Sequence, residues 1–424
     1  MTRDPPKLAG AVDIVAMGAQ GDGIAETEHG RLFVPFTLPG ERVRCEILGR
    51  RGEGWTARLI EIETPSPLRR PAPCRHFGTC GGCMMQHAED EMYRAWKRGL
   101  VETALRQRGL ELPADAPLIP TAPNTRRRAR FAVLRDDHEI RLGFHAPENT
   151  EVVTISECHV VTPSLASQLD VLRGLAGAAL SAGQSAVVTA TETETGLDVL
   201  ITGSRKLERR RALTEAASKA PIARLCWQEG RGEPEPLVQH IAPRMHFGGV
   251  AVALPPDAFL QPSGAGEAAL VAAVTRLAAK AKSIADLYAG CGTFTFPLAK
   301  IGKVAAFEAA KSAVAAVTAA ANHTGLAGRV TATARNLDSS PLPPEELKRF
   351  DCVVFDPPRA GAKTQAEMLA RSRVNRVVAV SCNPTTFARD ARILVDGGFK
   401  LTDLVAVDQF VWSAHVEIVA AFKR

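Results

Sequence analysis

Short, continuous apolar runs dominate the last third of the chain. Ser283-Ile284-Ala285, Lys303-Val304-Ala305-Ala306-Phe307, Asp351-Cys352-Val353-Val354-Phe355 and Arg376-Val377-Val378-Ala379-Val380 are each too short for a helix, and each runs into a polar or glycine-rich turn. They predict strands of an open α/β sheet. The alanine-rich stretch 309–321 predicts a helix between them, and Gly398-Phe399-Lys400-Leu401 with His415-Val416-Glu417-Ile418-Val419-Ala420-Ala421-Phe422 predicts two strands that end the sheet. Residues 8–64 differ: apolar patches alternate with polar ones, broken by Gly18, Gly21, Gly23, Gly30, Pro39-Gly40 and Gly52, and helical periodicity is lacking. That pattern predicts a small β-barrel, closed by Pro65-Ser66-Pro67. Residues 89–110 predict an amphipathic helix with Met92, Trp96, Leu100 and Leu105 near one face. From Thr125-Arg126-Arg127-Arg128-Ala129-Arg130-Phe131 to about Leu254 the chain reads as mainly β. Three regions result, at 1–66, 67–254 and 255–424.

At 424 residues the chain has ample material for such a core. No apolar segment approaches the ~20 residues that span a bilayer, so a soluble protein without membrane contact is expected. Met1-Thr2-Arg3-Asp4 opens no signal segment, and nine cysteines, an odd number, argue for a reducing, cytoplasmic location. The net charge of +6 is only mildly basic. It clusters, however, at Arg50-Arg51, Arg69-Arg70, Arg126-Arg127-Arg128 with Arg130, and Arg209-Arg210-Arg211, and phosphate contacts are expected there. With aromatic residues at 5%, stacking on bases should matter less than arginine, backbone and shape contacts.

Candidate chemistry concentrates in the apolar strands. Asp286-Leu287-Tyr288-Ala289-Gly290-Cys291-Gly292-Thr293 is a strand entering a glycine turn, and Glu308 ends the next strand 22 positions after Asp286. A turn of small residues followed by an acid at about this distance suits an adenosine cofactor, with the acid accepting hydrogen bonds from ribose hydroxyls. Hydride and methyl chemistry share that pattern. Asp356-Pro357-Pro358-Arg359 ends the strand before Ser381-Cys382-Asn383-Pro384, so a thiol stands at a strand end in a cofactor domain. Alone, Cys382 is equally an ordinary buried cysteine. Glu417 sits in an otherwise apolar run, where an unpaired carboxylate is costly; it is either an exposed edge residue or a base lining a polar cavity. Cys74, Cys80 and Cys83 fall within ten residues of a Pro/Gly-rich loop, and zinc or an iron–sulfur cluster would suit such a set.

Together, Phe259-Leu260-Gln261, Asp286 to Gly292, Glu308, Asn336, Asp356-Pro357-Pro358-Arg359, Ser381-Cys382-Asn383-Pro384 and His415-Val416-Glu417 resemble the RNA uracil-5-methyltransferase family, specifically the 23S ribosomal RNA enzymes that carry a TRAM domain and an iron–sulfur cluster. The resemblance covers nearly the whole chain. It implies an α/β Rossmann-like class I methyltransferase domain at 255–424, an N-terminal TRAM domain (an OB-like β-barrel that binds RNA) at 1–66, and a central mainly-β iron–sulfur domain at 67–254. The helix at 89–110 would pack on the catalytic domain. Gln261, Tyr288, Thr293, Glu308, Asn336 and Asp356 would bind S-adenosylmethionine. Cys158 would join Cys74, Cys80 and Cys83 around a [4Fe–4S] cluster. Cys382 would be the nucleophile and Glu417 the base of a cytoplasmic, monomeric enzyme acting on RNA. Two other readings stay open: an RNA cytosine-5-methyltransferase, a class that commonly has cysteine where Arg359 stands, and a non-catalytic RNA-binding or assembly factor, which the intact Cys382 and Glu417 oppose.

Overall fold

The computed structural model describes residues 8, 10–147 and 149–424. Met1-Thr2-Arg3-Asp4, read above for the lack of a signal segment, lies outside the described residues. The chain divides into two compact units. One comprises the residues up to Leu100 with Phe144–Val153 and Phe410–His415; the other comprises Val101–Gly143, Thr154–Gln409 and Val416–Arg424.

In the first unit a six-stranded sheet runs in the order Val12–Asp13, Arg42–Arg51, Gly54–Thr64, Gly30–Val34, Gly23–Thr27, Ala16–Met17. Strict alternation along Arg42–Arg51 sends Val43, Cys45 and Ile47 inward, onto Ile14, Ala25, Leu32, Val34, Trp55 and Ala57. Gly23 has no room for a side chain, since a Cβ there would stand 2.1 Å from Thr37 Oγ1. The observed helix is Asp90–Arg106, shorter at its C-terminal end than the periodicity suggested, because Gly109 takes a φ of +65° and stops it. Its Lys97 is fully buried, and the ammonium donates to the carbonyls of Phe410 (3.1 Å) and His415.

The second unit holds the sheet that the apolar runs foretold. We number its strands β1 (Ser283–Leu287), β2 (Lys303–Glu308), β3 (Val330–Ala334), β4 (Cys352–Phe355), β5 (Arg376–Ser381), β6 (Lys400–Asp408) and β7 (Glu417–Lys423). Their order is 3-2-1-4-5-7-6, with the short strand Leu118–Pro120 added beside β6. All are parallel except β7, which runs antiparallel to β5 and β6. Successive residues of one strand feed opposite cores. Ile284, Val354, Val378 and Val419 pack with Leu270 and Val274, whereas Ala285, Val353, Val377 and Ala420 pack with Val101, Leu105 and Phe387. Both faces are therefore covered, which is why these strands are continuously apolar.

The region before this sheet is less purely β than the sequence suggested. Besides its strands, among them Arg128–Arg135, Ser185–Thr193 and Gly196–Gly203, it contains the helices Leu169–Ala179 and Arg210–Lys219. The first buries Leu169, Leu172, Leu175, Ala176 and Ala179 on one face, a helical spacing that its glycines obscured. Among the described residues no helix is long and apolar enough to cross a membrane.

Candidate active site

Strand order reverses between β1 and β4, and the carboxyl ends of β1, β2, β4, β5 and β6 open onto one edge of the sheet, the place where such sheets bind ligands. Because β7 is antiparallel, its first residue returns to this same edge: Glu417 pairs with Val407, and Ile418 with Ser381. Topology thus collects Tyr288, Glu308, Asp356, Cys382 and Glu417 along one rim.

The turn after β1 is tightly wound. Tyr288, Gly290 and Gly292 all have positive φ, of +61°, +53° and +96°, the left-handed region in which a non-glycine residue is strained. Glu308 closes this turn, accepting the Gly290 N–H (3.0 Å) on one oxygen and the Ala310 N–H (2.8 Å) on the other. Nothing lies within 4 Å of where a Cβ on Gly290 would stand, so the turn leaves space beside its backbone for a ligand. The buried Asp286 accepts from Thr295 Oγ1 at 2.5 Å. Burial first, then the Asp356 and Glu308 carboxylates, push Asp286 up to about 7 in spite of that bond. Thr293, the residue expected at the cofactor, is half-buried. The hydroxyl that engages a site acid is that of Thr295, two residues further on, which the sequence had not suggested. The Tyr288 hydroxyl donates to Asp338 at 3.2 Å. Asn336 is exposed and accepts the N–H groups of Asp338 (3.0 Å) and Ser339 (3.3 Å), shaping the loop after β3.

A second cluster lies across the β4 and β5 ends. Gln261 Nε2 donates to Asp356 Oδ2 at 3.1 Å, and Gln409 Nε2 donates to both Gln261 Oε1 (2.7 Å) and Glu417 Oε1 (3.0 Å). Glu417 is 3% exposed. Burial raises its proton affinity well above the usual carboxylate range, and facing Asp356 raises it further, while Gln409 and Arg359 oppose the shift. Asp356 is raised as well, again by desolvation. Two buried acids that face each other do not both ionise readily. Gln409 had no signature in the sequence; only a polar residue just past an apolar strand hinted at it.

Burial pushes the Cys382 thiol up to about 11, helped by Glu417 and Asp356 and opposed by Arg359. The thiol is therefore protonated at neutral pH until something at the site takes its proton. Iodoacetamide should label the Cys382 peptide slowly at pH 7 in RNA-free protein and roughly tenfold faster per pH unit above it. Peptide mass spectrometry reads this, and fast labelling at pH 7 would contradict the environment described.

The arginine clusters have intramolecular duties that the sequence did not show. Arg51 pairs with Asp22, Arg69 with Glu41, Arg70 with Asp90, Arg128 with Asp257, Arg210 with Glu235 and Arg211 with Glu215. Arg209 caps the carbonyls of Gly177 and Leu180, each at 2.8 Å. Arg127 is buried, donating to the Gln261 carbonyl (3.0 Å) and to Glu267 (2.6 Å). It thereby holds the backbone of a site residue. Arg210 and Arg211 stay largely exposed beside their partners, and Arg130 is exposed on the same strand as Arg128.

Cys74, Cys80 and Cys83 are half-buried in an irregular loop of the first unit, and Cys158 is half-buried in the second. The Gly82 N–H points at Cys80 Sγ, 3.4 Å away, a contact that suits a thiolate. Yet among the described residues no three His, Cys, Asp or Glu side chains converge as a metal site. The donor chemistry matches a cluster.

Residues 250–424 match the family described as tRNA (Uracil-5-)-methyltransferase. An RNA methyltransferase of Rhizobium meliloti (strain 1021) is 43% identical, over 98% of this chain and 99% of that protein. The 23S rRNA (uracil(1939)-C(5))-methyltransferase of Pseudomonas entomophila (strain L48) is 32% identical, over 97% of this chain and 92% of that one. Among solved structures, the Pyrococcus abyssi tRNA (uracil-54, C5)-methyltransferase in complex with S-adenosyl-L-homocysteine superposes with a TM-score of 0.75 at 24% identity, covering 97% of this chain and 99% of that one. At that identity the likeness is one of fold.

Proposed function

Because the chain belongs to the S-adenosylmethionine-dependent RNA uracil-5-methyltransferases, we propose that it methylates carbon 5 of a uridine in 23S ribosomal RNA, with Cys382 as nucleophile and Glu417 as general base. The observation that carries the chemistry is the meeting of a thiol and a desolvated carboxylate at one strand edge, close enough for Glu417 to raise the Cys382 thiol. The choice of ribosomal RNA follows the Pseudomonas relative.

Uracil carbon 5 is a poor nucleophile until something adds to carbon 6. Once the Cys382 thiol has given its proton to solvent, the thiolate sulfur bonds carbon 6, and the electron pair of the 5,6 double bond moves to carbon 5 as an enolate. When bound, S-adenosylmethionine supplies an electrophilic methyl group, which carbon 5 takes as the methyl–sulfur bond breaks. Glu417 then removes the remaining proton from carbon 5. The pair left behind restores the double bond and expels the Cys382 thiolate, so the net change is one proton exchanged for one methyl group. Gln261, Tyr288, Thr293, Glu308, Asn336 and Asp356 hold the methyl donor on this reading, with the open backbone at Gly290 as the point of close approach. The target base leaves its stack to reach the thiol, and unpaired loops of RNA offer such bases most readily. Labelled S-adenosylmethionine with 23S rRNA and tRNA transcripts tests the assignment. 5-Methyluridine in the ribosomal transcript is expected, and transfer confined to tRNA would redirect it.

On the same reading the six-stranded sheet within residues 12–64 is a TRAM-type RNA-binding module, supported by its Gly21-Asp22-Gly23-Ile24-Ala25 stretch. The protein acts as a cytoplasmic monomer. The [4Fe–4S] cluster is supported by the cysteine spacing and by the N–H directed at Cys80; its role is structural, since methyl transfer needs no redox step. Protein purified without oxygen should contain about four irons and show broad visible absorption, both lost in Cys80→Ser. Stoichiometric zinc without iron would favour zinc, and metal-free folded protein would remove the metal altogether.

A further inference from the structure

Gln409 lies just past the end of β6 and is 2% exposed. Its position is tightly prepared. A Cβ on Gly266, in the first turn of the helix Gly264–Leu277, would stand 2.6 Å from Gln409 Cβ and 2.7 Å from its Oε1. Only glycine at 266 leaves room for this side chain. The amide orientation follows from its neighbours. Gln261 uses its NH2 on Asp356, so it turns its carbonyl oxygen toward Gln409. A glutamine NH2 has two N–H donors, and Gln409 directs one to that carbonyl and one to Glu417 Oε1. Among the described residues Glu417 Oε2 has no hydrogen-bond partner. One carboxylate oxygen is thus clamped and the other is left for a substrate proton.

We infer that Gln409 is a positioning residue for the methyl-transfer reaction: it fixes Glu417 through Oε1, favours its ionised form, and links it through Gln261 to Asp356 beside the methyl-donor pocket. This rests on the reading of Glu417 as the base. A hydrogen bond given to a carboxylate stabilises the charged form, and here it works against burial. The titratable and charged groups facing Glu417 are Asp356 and Arg359 from the loop after β4 and Cys382 from the end of β5. Of these only Arg359 favours the carboxylate, and Gln409 adds a neutral donor to it.

The test is the pH dependence of product release. In single-turnover reactions with labelled S-adenosylmethionine and 23S rRNA, the decay of the RNA–protein adduct is followed from pH 6 to 9.5. Gln409→Met keeps the volume and removes the donor. Its rising limb should move up by about one pH unit, so that release is about tenfold slower at pH 7 and returns to the wild-type rate near pH 9. In the Glu417→Gln background the same change should add nothing. Release slowed equally at every pH, or a wild-type profile while Glu417→Gln alone is arrested, would overturn the role of Gln409 and leave the base in place. Normal release by Glu417→Gln would overturn both. Should Gln409→Met fail to bind the methyl donor, Gln409→Glu replaces it. This near-isostere sets an acceptor against Glu417 and should move the limb further in the same direction; an unmoved limb would again refute the inference.

Discussion

Cys382→Ala is expected to lose methyl transfer to RNA by at least ~10⁴-fold, the scale on which enzymes lose activity with their covalent nucleophile. The donor should still bind, because Gln261, Glu308 and the turn at Gly290 owe none of their contacts to the thiol. Equilibrium binding of S-adenosyl-L-homocysteine within about threefold of wild type, beside absent turnover, is the expected pair of results. Removal of the half-buried sulfur leaves little cavity, so stability should change by no more than ~1 kcal/mol. Turnover near the wild-type rate would exclude a covalent mechanism. Retention of donor binding separates loss of the nucleophile from loss of the fold.

Glu417→Gln should act differently. The substitution is nearly isosteric and keeps an oxygen for the Gln409 donor, while its amide cannot take a proton from carbon 5. Cys382 still adds to carbon 6 and the methyl group still moves, but elimination waits for that proton. Loss of a positioned general base costs about 10²–10⁴-fold in the step it serves. A methylated RNA–protein adduct should therefore accumulate, seen as a band of reduced mobility on a denaturing gel that carries label from the donor methyl. Free methylated RNA released at the normal rate would reassign the base. The double variant Cys382→Ala/Glu417→Gln should form no band, which ties the adduct to that sulfur.

Much of this site was legible along the chain because its parts follow from local rules. Continuous apolar runs foretold strands buried on both faces, and the structure places Ile284 and Ala285, or Val353 and Val354, in opposite cores. Small residues after β1 foretold a turn that only positive φ permits, and Gly290 and Gly292 adopt it. Asp356 and Cys382 directly follow β4 and β5, and parallel strands deliver their carboxyl ends to one rim.

Other features depend on approach through space, to which local pattern is blind. The ion pairs of the arginine clusters were not legible, because charge in sequence says nothing of the partner: Arg127 meets Glu267, and Arg128 meets Asp257, only after the chain has folded back over more than a hundred residues. The helix Leu169–Ala179 was masked by Gly174 and Gly177, whose weak propensity is overridden by packing. Gln409 and Gln261 are 148 positions apart, and an antiparallel last strand sets Glu417 beside them. The sequence by itself thus determined which chemical groups stand at the strand ends and the family to which they belong. Only the tertiary structure decided their ionisation, because desolvation raises Cys382, Glu417 and Asp356 together and facing carboxylates raise the first two further, and both are properties of the enclosed volume rather than of any stretch of chain.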